Sequence, residues 1–314
     1  MSLIESPRLT PFSGAHVSFG RHESFPLRYG WLTKGFKEVH ANHQALNADD
    51  ATVRLGVGRN MVNAIRYWLR ATRMVEADKS GLTPTAIGKK IFGPDGYDRY
   101  LEDEATIWLI HWLLASNPEQ STAWYWFFNH FHKPEFTSQE AISALVQFCQ
   151  THVTAKQATT KIKQDGAIVL RMYVQSKAAP RTPIEEALDS PLATLRLISY
   201  SSSTRRFQSR LGLRADVPIG VLGFAVAEIF DYRKAAAIPL DELMQSRSNL
   251  PAVGSVFRLN ESGLLAKLEE LVTKLPGEFE LRETAGLQQL YKVGSITALQ
   301  LLDRHYQSDM NVAA

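Results

Sequence analysis

Apolar residues recur every three or four positions over much of the chain, which predicts a mainly α-helical protein with a few short strands. This spacing is clear in residues 31–39 and 264–271. Two helix starts are also marked: Thr137 and Glu140 have the spacing of a capping box, and Asn260 precedes the later apolar segment. The local signals therefore favour helices whose starts can be placed from the sequence.

The N-terminal third predicts a winged helix-turn-helix. The expected elements are a first helix, a short second helix, a glycine-containing turn, a third helix that starts at Arg59, and two wing strands. The first two helices are expected at residues 31–39 and 49–55, the turn at 56–58 and the third helix from 59 onward. The two wing strands are expected at 74–76 and 82–83. The third helix then occupies the position that recognises DNA in this type of domain.

Further short strands are predicted at residues 167–169, 255–259 and 279–282. The last two flank a helix, as in a second small winged-helix-like unit near the C-terminus. Breaks at 93–96 and 176–183 predict three domains. Residues 1–94 would form the winged helix-turn-helix and residues 95–180 an acidic and aromatic helical region. Residues 181–314 would form a mostly helical domain.

The third predicted helix carries a basic face, because residues 51–75 hold five arginines and no acidic residue. Five of its polar side chains, spaced by 4, 3, 4 and 3 positions, fall within an arc of about 80°: Arg59, Asn63, Arg66, Arg70 and Arg73. Since i,i+4 pairing with acids is absent, this face predicts contact with DNA, with Asn60 and Asn63 as candidates for base contacts. A solvated helix face and an acidic protein partner stay open as alternatives.

Composition adds that the chain is an ordinary soluble globular protein of 314 residues, 45% apolar and 21% charged. The first residues lack the pattern of a secretory signal, and one cysteine excludes an internal disulfide, so we expect a cytoplasmic protein without a membrane span. Basic residues outnumber acidic ones 14 to 9 in residues 1–100 and 10 to 4 in residues 151–210, whereas acids dominate 6 to 1 in residues 101–150. Two basic blocks are compatible with a polyanionic partner.

Three extended motifs resemble the SspB family of bacterial single-strand DNA phosphorothioation systems: GRHESFPLRYGWLTKG, LGVGRNMVNAIRYWLRA and DGYDRYLEDEATIWLIHWLLASN. Their order is the same, and weaker similarity extends over nearly the whole chain. The sequence departs from the family pattern at Ser24, where Thr is usual, and at Arg99, where Pro is usual. The resemblance implies a DNA nickase in phage defence. Its partners would be a cysteine desulfurase, an ATPase and an ATP-pyrophosphatase-like enzyme, which together install sulfur on one strand.

Phosphodiester cleavage needs an activating base and positive charge on the phosphate. In the first motif, His22 and Glu23 are candidates for a general base and its orienting carboxylate. Arg21 and Arg28 are candidates for a phosphate clamp. The open alternative is a structural Arg–Glu pair beside a buried histidine. A non-catalytic DNA-binding adaptor that recruits the sulfur-transfer enzymes is the alternative to a nickase.

The third motif adds an acidic cluster. Asp98, Glu102 and Asp103 are candidate ligands for Mg²⁺ or another divalent metal, because carboxylate oxygens are its preferred donors. The spacing does not match a PD-(D/E)xK nuclease signature. The alternative is that these acids begin the helix predicted at residues 105–115, where they suit the helix dipole.

Overall fold

The computed structural model describes residues 9–175, 190–247, 249–284 and 286–307. Its first helices are α1 (Trp31–Ala41), α2 (Ala51–Leu55), α3 (Arg59–Ala71), α4 (Ala86–Phe92), α5 (Glu104–Ala115), α6 (Thr122–His130), α7 (Ser138–His152) and α8 (Thr159–Tyr173). A 3-10 helix at Pro191–Leu195 follows, and then α9 (Ile219–Arg233), α10 (Leu240–Met244), α11 (Val253–Val256), α12 (Glu261–Lys274) and α13 (Ala298–Tyr306).

Short strands complete the fold: β1 (Val75–Asp78), β2 (Gly81–Pro84), β3 (Glu135–Phe136), β4 (Ser199–Ser201), β5 (Arg206–Gln208), β6 (Ala237–Pro239), β7 (Phe279–Thr284) and β8 (Leu287–Lys292). They form an isolated β1–β2 hairpin and two three-stranded sheets in the orders β3–β5–β4 and β6–β8–β7, all antiparallel. The prediction of a mainly α protein with a few short strands is confirmed.

The N-terminal helices and hairpin lie where the sequence predicts them. Gly56 ends α2 with φ +67°, a left-handed conformation that favours glycine, and α3 begins at Arg59 as expected. At Gly35 of α1, an added Cβ would lie 2.5 Å from Ile65 and 2.9 Å from Leu69 of α3. Glycine therefore allows α1 and α3 to pack closely. That this unit works as a DNA-binding winged helix stays a prediction.

Two predicted strands are wrong. Residues 167–169 lie inside α8, and residues 255–259 overlap α11 and the turn after it. In both places buried packing overrides the β propensity of a short apolar run. The strand at 279–282 is confirmed as part of β7, but it belongs to the β6–β8–β7 sheet, so the expected pair of strands around α12 is not formed. The predicted break at 176–183 lies outside the described residues.

The two predicted helix caps are confirmed. Thr137 and Glu140 exchange the two hydrogen bonds of a capping box at the start of α7, and the side chain of Asn260 accepts from Gly263 N at the start of α12. The buried apolar side chains form one continuous cluster that draws on the helices of the whole described chain. Among the described residues, no helix combines the length and hydrophobicity that crossing a bilayer requires.

A buried ion pair ties the end of α3 to the rest of the core. Arg73 follows α3 with φ +57° and is 4% exposed, and its Nη1 donates to Glu228 Oε1 of α9 at 3.0 Å. Its Nη2 donates to the Ser116 carbonyl, while Trp112 donates to the other oxygen of Glu228. Burial raises the pKa of Glu228, and Arg73 opposes that shift. Arg73 is therefore a core residue, and its predicted place on the DNA-facing surface is wrong.

Replacing Arg73 by Met should lower the free energy of unfolding by about 3–5 kcal/mol, because Glu228 would be left buried without its cation. Urea denaturation measures this loss. The matched control is Arg59→Met, an exposed arginine of α3, for which a change below about 0.5 kcal/mol is expected. Equal effects of the two substitutions would contradict a structural role for the pair.

Candidate nucleic-acid interface

A polar groove of ≈ 810 Å³ brings together three segments that are distant in sequence. The loop before α1 contributes Arg21 and Glu23, α3 contributes Asn63, Arg66 and Arg70, and the start of α8 contributes Lys161. Glu119 and Gln120, before α6, complete its polar lining. We call this surface the basic groove. It joins residues predicted for catalysis with residues predicted for DNA binding.

The described residues neutralise the cations of the basic groove only in part. Arg21, Arg70 and Lys161 make no ion pair with another described residue, and the carboxylates that line the groove are Glu23 and Glu119. Four cations thus face two carboxylates. An anion entering the groove would lower this repulsion, which is the electrostatic requirement of a phosphate-binding surface.

Arg66 lies at the centre of this charge. One of its terminal nitrogens donates to the carbonyl of Leu46 in the α1–α2 loop, which fixes the guanidinium. Its Nε is buried and has no hydrogen-bond partner among the described residues. Burial, and then the neighbouring charge of Arg70, lower the pKa of Arg66. The two arginines are therefore close enough to repel, as expected for a pair that shares an anionic ligand.

The start of α3 extends the basic surface beyond the groove. Arg59 and Asn60 are exposed there, and Asn63 is half-buried at the groove wall. The predicted helix face is thus present from Arg59 to Arg70, but it ends there because α3 stops at Ala71. Four of the five predicted face positions remain accessible.

His22 is not a surface residue. It is 0% exposed, its Nε2 donates to Asp165 Oδ1 of α8 at 2.9 Å, and its ring stacks on Trp68 of α3 with an interplanar angle of 14°. The carboxylate that orients His22 is Asp165 and not Glu23, whose side chain is exposed. The predicted His22–Glu23 pair is therefore not formed. Of the structural alternative, the buried histidine is present, but the described residues form no Arg–Glu ion pair beside it.

The His22–Asp165 pair holds the loop that carries Arg21 and Glu23. Asp165 Oδ1 also accepts from Gly20 N at 2.8 Å, and burial raises the pKa of Asp165 against the opposing effect of His22. Glu23 and Ser24 have left-handed backbones, with φ +49° and +67°, a conformation that costs side-chain-bearing residues about 1–3 kcal/mol. The loop keeps this turn because the buried pair anchors it.

Arg28 lies apart from the basic groove. Its guanidinium lies 5.3 Å from the ring centroid of Trp31 and 5.8 Å from that of Phe25, in cation–π contacts. It does not line the groove beside Arg21. The structure therefore does not bring the two predicted clamp arginines together.

The acidic cluster is organised as a loop and helix start. The two carboxylate oxygens of Asp98 accept from the backbone nitrogens of Glu102 and Asp103, at 2.8 and 3.1 Å. Asp103 caps α5 by accepting from Ala105 N at 2.8 Å. Within the described ranges, no three His, Cys, Asp or Glu side chains are grouped to hold a metal ion. These residues do not fit a metal centre, and the helix-start alternative accounts for them.

The sequence reasoning missed Asp165 and Lys161. Both lie on α8, in a stretch where the apolar run 167–169 suggests a strand and hides the helical spacing. The signal available for Lys161 is the basic excess of residues 151–210. For Asp165 the signal is a lone acid that would fall among apolar positions once the segment is drawn as a helix.

His22→Ala should lower the free energy of unfolding by about 2–4 kcal/mol, because Asp165 would lose its buried partner. Glu23→Gln, one residue away at the exposed loop tip, should change it by less than about 0.5 kcal/mol. Urea denaturation of both variants makes the comparison. A His22→Ala protein as stable as Glu23→Gln would show that the buried pair does not anchor the loop.

Comparison with known proteins places the chain next to SspB. Two crystal structures, one of SspB and one of magnesium ion-bound SspB, match it with 28% identity and a TM-score of 0.79. Each match covers 94% of this chain and 89% of the other, which confirms the resemblance to SspB and relates the chain to the Ssp system. No curated protein matches the sequence. The family described as "Protein of unknown function (DUF4007)" matches residues 19–306, and the chain belongs to this family.

Proposed function

We propose that this protein is a DNA-binding component of an Ssp phosphorothioation system, and that its basic groove holds the phosphate backbone. The observation that carries the proposal is the convergence of Arg21, Arg66 and Arg70 in one groove without a carboxylate partner among the described residues. Guanidinium groups bind phosphate through paired, charge-assisted hydrogen bonds. A groove that served only structure would be expected to neutralise these charges internally, as the core does for Arg73.

The length of α3 suits a nucleic-acid backbone. Arg59 and Arg70 are eleven residues apart, which is about 16 Å along a helix axis. One strand of a duplex advances about 3.4 Å per base step, so this span corresponds to about five steps. Arg59 and Arg70 would contact phosphates at the two ends, and Asn63 lies between them with an amide suited to a base edge or a phosphate.

The same groove would cut one strand, as the resemblance to SspB implies. In hydrolysis, water attacks phosphorus, the bond from phosphorus to the leaving sugar oxygen breaks, and that oxygen takes a proton from solvent. In this proposal Glu23 would accept the proton of the attacking water, and its support is that Glu23 lines the groove from the same turn as Arg21. Arg21, Arg66 and Arg70 would stabilise the charge that builds on the phosphate. His22 acts only by holding this turn.

A nicked strand is a suitable substrate for the partners that the resemblance implies. A cysteine desulfurase supplies sulfur, and an ATPase and an ATP-pyrophosphatase-like enzyme would complete its installation on the opened strand. The proposal includes magnesium because one of the matching structures is that of magnesium ion-bound SspB. Since Asp98, Glu102 and Asp103 do not form a metal centre, no step is assigned to a metal.

The second candidate is a DNA-binding adaptor that recruits the sulfur-transfer enzymes without cutting. The burial of His22 favours it, because this histidine does not reach the groove surface. Both candidates require the basic groove to bind DNA, and they differ only in cleavage.

Arg66→Ala combined with Arg70→Ala should weaken binding to a 20-base-pair duplex by about 10- to 100-fold at moderate salt. Fluorescence anisotropy over a salt series should also show a shallower slope of log affinity against log salt concentration, by about one for each arginine removed. Arg70→Ala alone tests the groove without removing the hydrogen bond of Arg66. Arg304→Ala, an exposed arginine of α13 outside the groove, is the control. Unchanged affinity in the double variant would remove the groove from DNA binding.

The purified protein should convert supercoiled plasmid to open circles in buffer with magnesium, and Glu23→Gln should slow this conversion by about 100-fold or more. Agarose gels measure nicking, and anisotropy confirms that Glu23→Gln still binds duplex. An adaptor would bind the plasmid without cutting it. Nicking by Glu23→Gln at the normal rate would overturn the role of Glu23 and leave DNA binding in place.

A further inference from the structure

A second cavity, of ≈ 750 Å³, lies between the C-terminal half of α8 and the β4–β5 hairpin. Its inner wall is apolar and includes Leu170, Tyr173 and Ile198. Arg171 and Arg196 lie at its edge, and both are exposed. Neither makes an ion pair with a described residue, and no described carboxylate lines the cavity. Among the described residues, the cavity thus combines an apolar wall with two arginines that have no carboxylate partner.

Tyr200 gives this cavity an exposed aromatic surface. The side chain is 45% exposed, although burial of an aromatic ring is energetically favourable. Its ring centroid is 4.8 Å from that of Phe207, and Phe207 stacks on the fully buried Phe136 at 5.9 Å with an interplanar angle of 12°. One side of the Tyr200 ring therefore contacts Phe207 at a tilted angle, and Tyr200 lines the cavity.

The exposed side of α8 connects this cavity to the basic groove. Lys161 lines the groove and Arg171 lines the cavity, ten residues apart, which is about 15 Å along the helix. The exposed or half-buried polar positions of α8 are Thr159, Thr160, Lys161, Lys163, Gln164 and Arg171. The one acid of the helix, Asp165, is buried against His22. The described residues of α8 itself therefore present no exposed carboxylate to a polyanion that follows the helix.

We infer that this cavity binds a single-stranded stretch of DNA, with a base stacked on Tyr200 and the backbone held by Arg171 and Arg196. Aromatic platforms beside basic side chains are the means by which proteins hold single strands without sequence preference. An apolar peptide would use the cavity wall but would leave both arginines without an anionic partner. The inference rests on the proposed function, since the duplex lies in the basic groove while an opened strand follows α8 to the cavity.

The test compares two fluorescent probes, a 20-nucleotide oligothymidine and a 20-base-pair duplex, by anisotropy with the full chain. Tyr200→Ala should weaken oligothymidine binding by about 5- to 100-fold, the range that stacking of one base on an aromatic ring accounts for. Tyr200→Phe keeps the ring and should bind like the wild type. Arg171→Ala with Arg196→Ala should weaken oligothymidine binding and flatten its salt dependence. Duplex binding should change less than twofold in all three.

Tyr232→Ala is the matched control, because this tyrosine of α9 is 42% exposed and lies outside both surfaces. Thermal melting confirms that each variant is folded. Oligothymidine affinity that is unchanged in Tyr200→Ala, with duplex binding intact, would overturn the inference and leave the proposed function standing. The same holds if Tyr200→Phe loses as much as Tyr200→Ala. A wild-type protein that binds neither probe would overturn both.

Discussion

The hydrogen bond between His22 and Asp165 is the constraint on which the candidate interface depends. The imidazole is fully buried and is surrounded by Trp68 of α3 and Trp124 of α6, while its partner lies on α8. Three segments that form the basic groove therefore meet around one side chain. Burying a carboxylate is energetically unfavourable unless it is paired. If the loop before α1 separated from α8, Asp165 would lose its partner, and this cost holds the loop in place. The loop of the groove is thus held by this buried pair and not by ion pairs among the described charged residues of the groove.

The arginines of the protein show two opposite arrangements. In the core, Arg73 is paired with Glu228, and Arg258 donates to the Phe127 carbonyl and lies over aromatic rings, with burial lowering its pKa to about 9. Each buried guanidinium has been given partners from elsewhere in the chain, as a low-dielectric interior requires. Arg70 at the groove surface has no such partner among the described residues. The fold supplies partners to the arginines that have a structural role. The guanidinium of Arg70 is therefore the group that an anionic ligand would neutralise.

The sequence was sufficient for α1 to α3 and the β1–β2 hairpin, because their signals are local: apolar spacing, a glycine turn at Gly56 and a polar hairpin tip. It failed at Arg73 because α3 ends two residues earlier, at Ala71, so the angle of 100° per residue no longer applies. It failed at His22 because this residue lies in a turn, where the local sequence gives neither the direction of the side chain nor what covers it. The partner that covers His22, Asp165, is 143 residues away, and only the tertiary fold brings the two together.

Helix α8 contributes residues to the buried pair, to the basic groove and to the second cavity. Its Asp165 anchors the loop of the basic groove, its Lys161 lines that groove, and its Arg171 lines the second cavity. The apolar face of the helix is buried, with Ile162 and Val169 among the core side chains, so α8 moves only as a unit with its neighbours. Any displacement that opens the groove loop must act through Asp165 and therefore on the helix that forms the wall of the cavity. The surface proposed for the duplex and the cavity proposed for a single strand therefore share one helix, and Asp165 of that helix holds the loop of the basic groove.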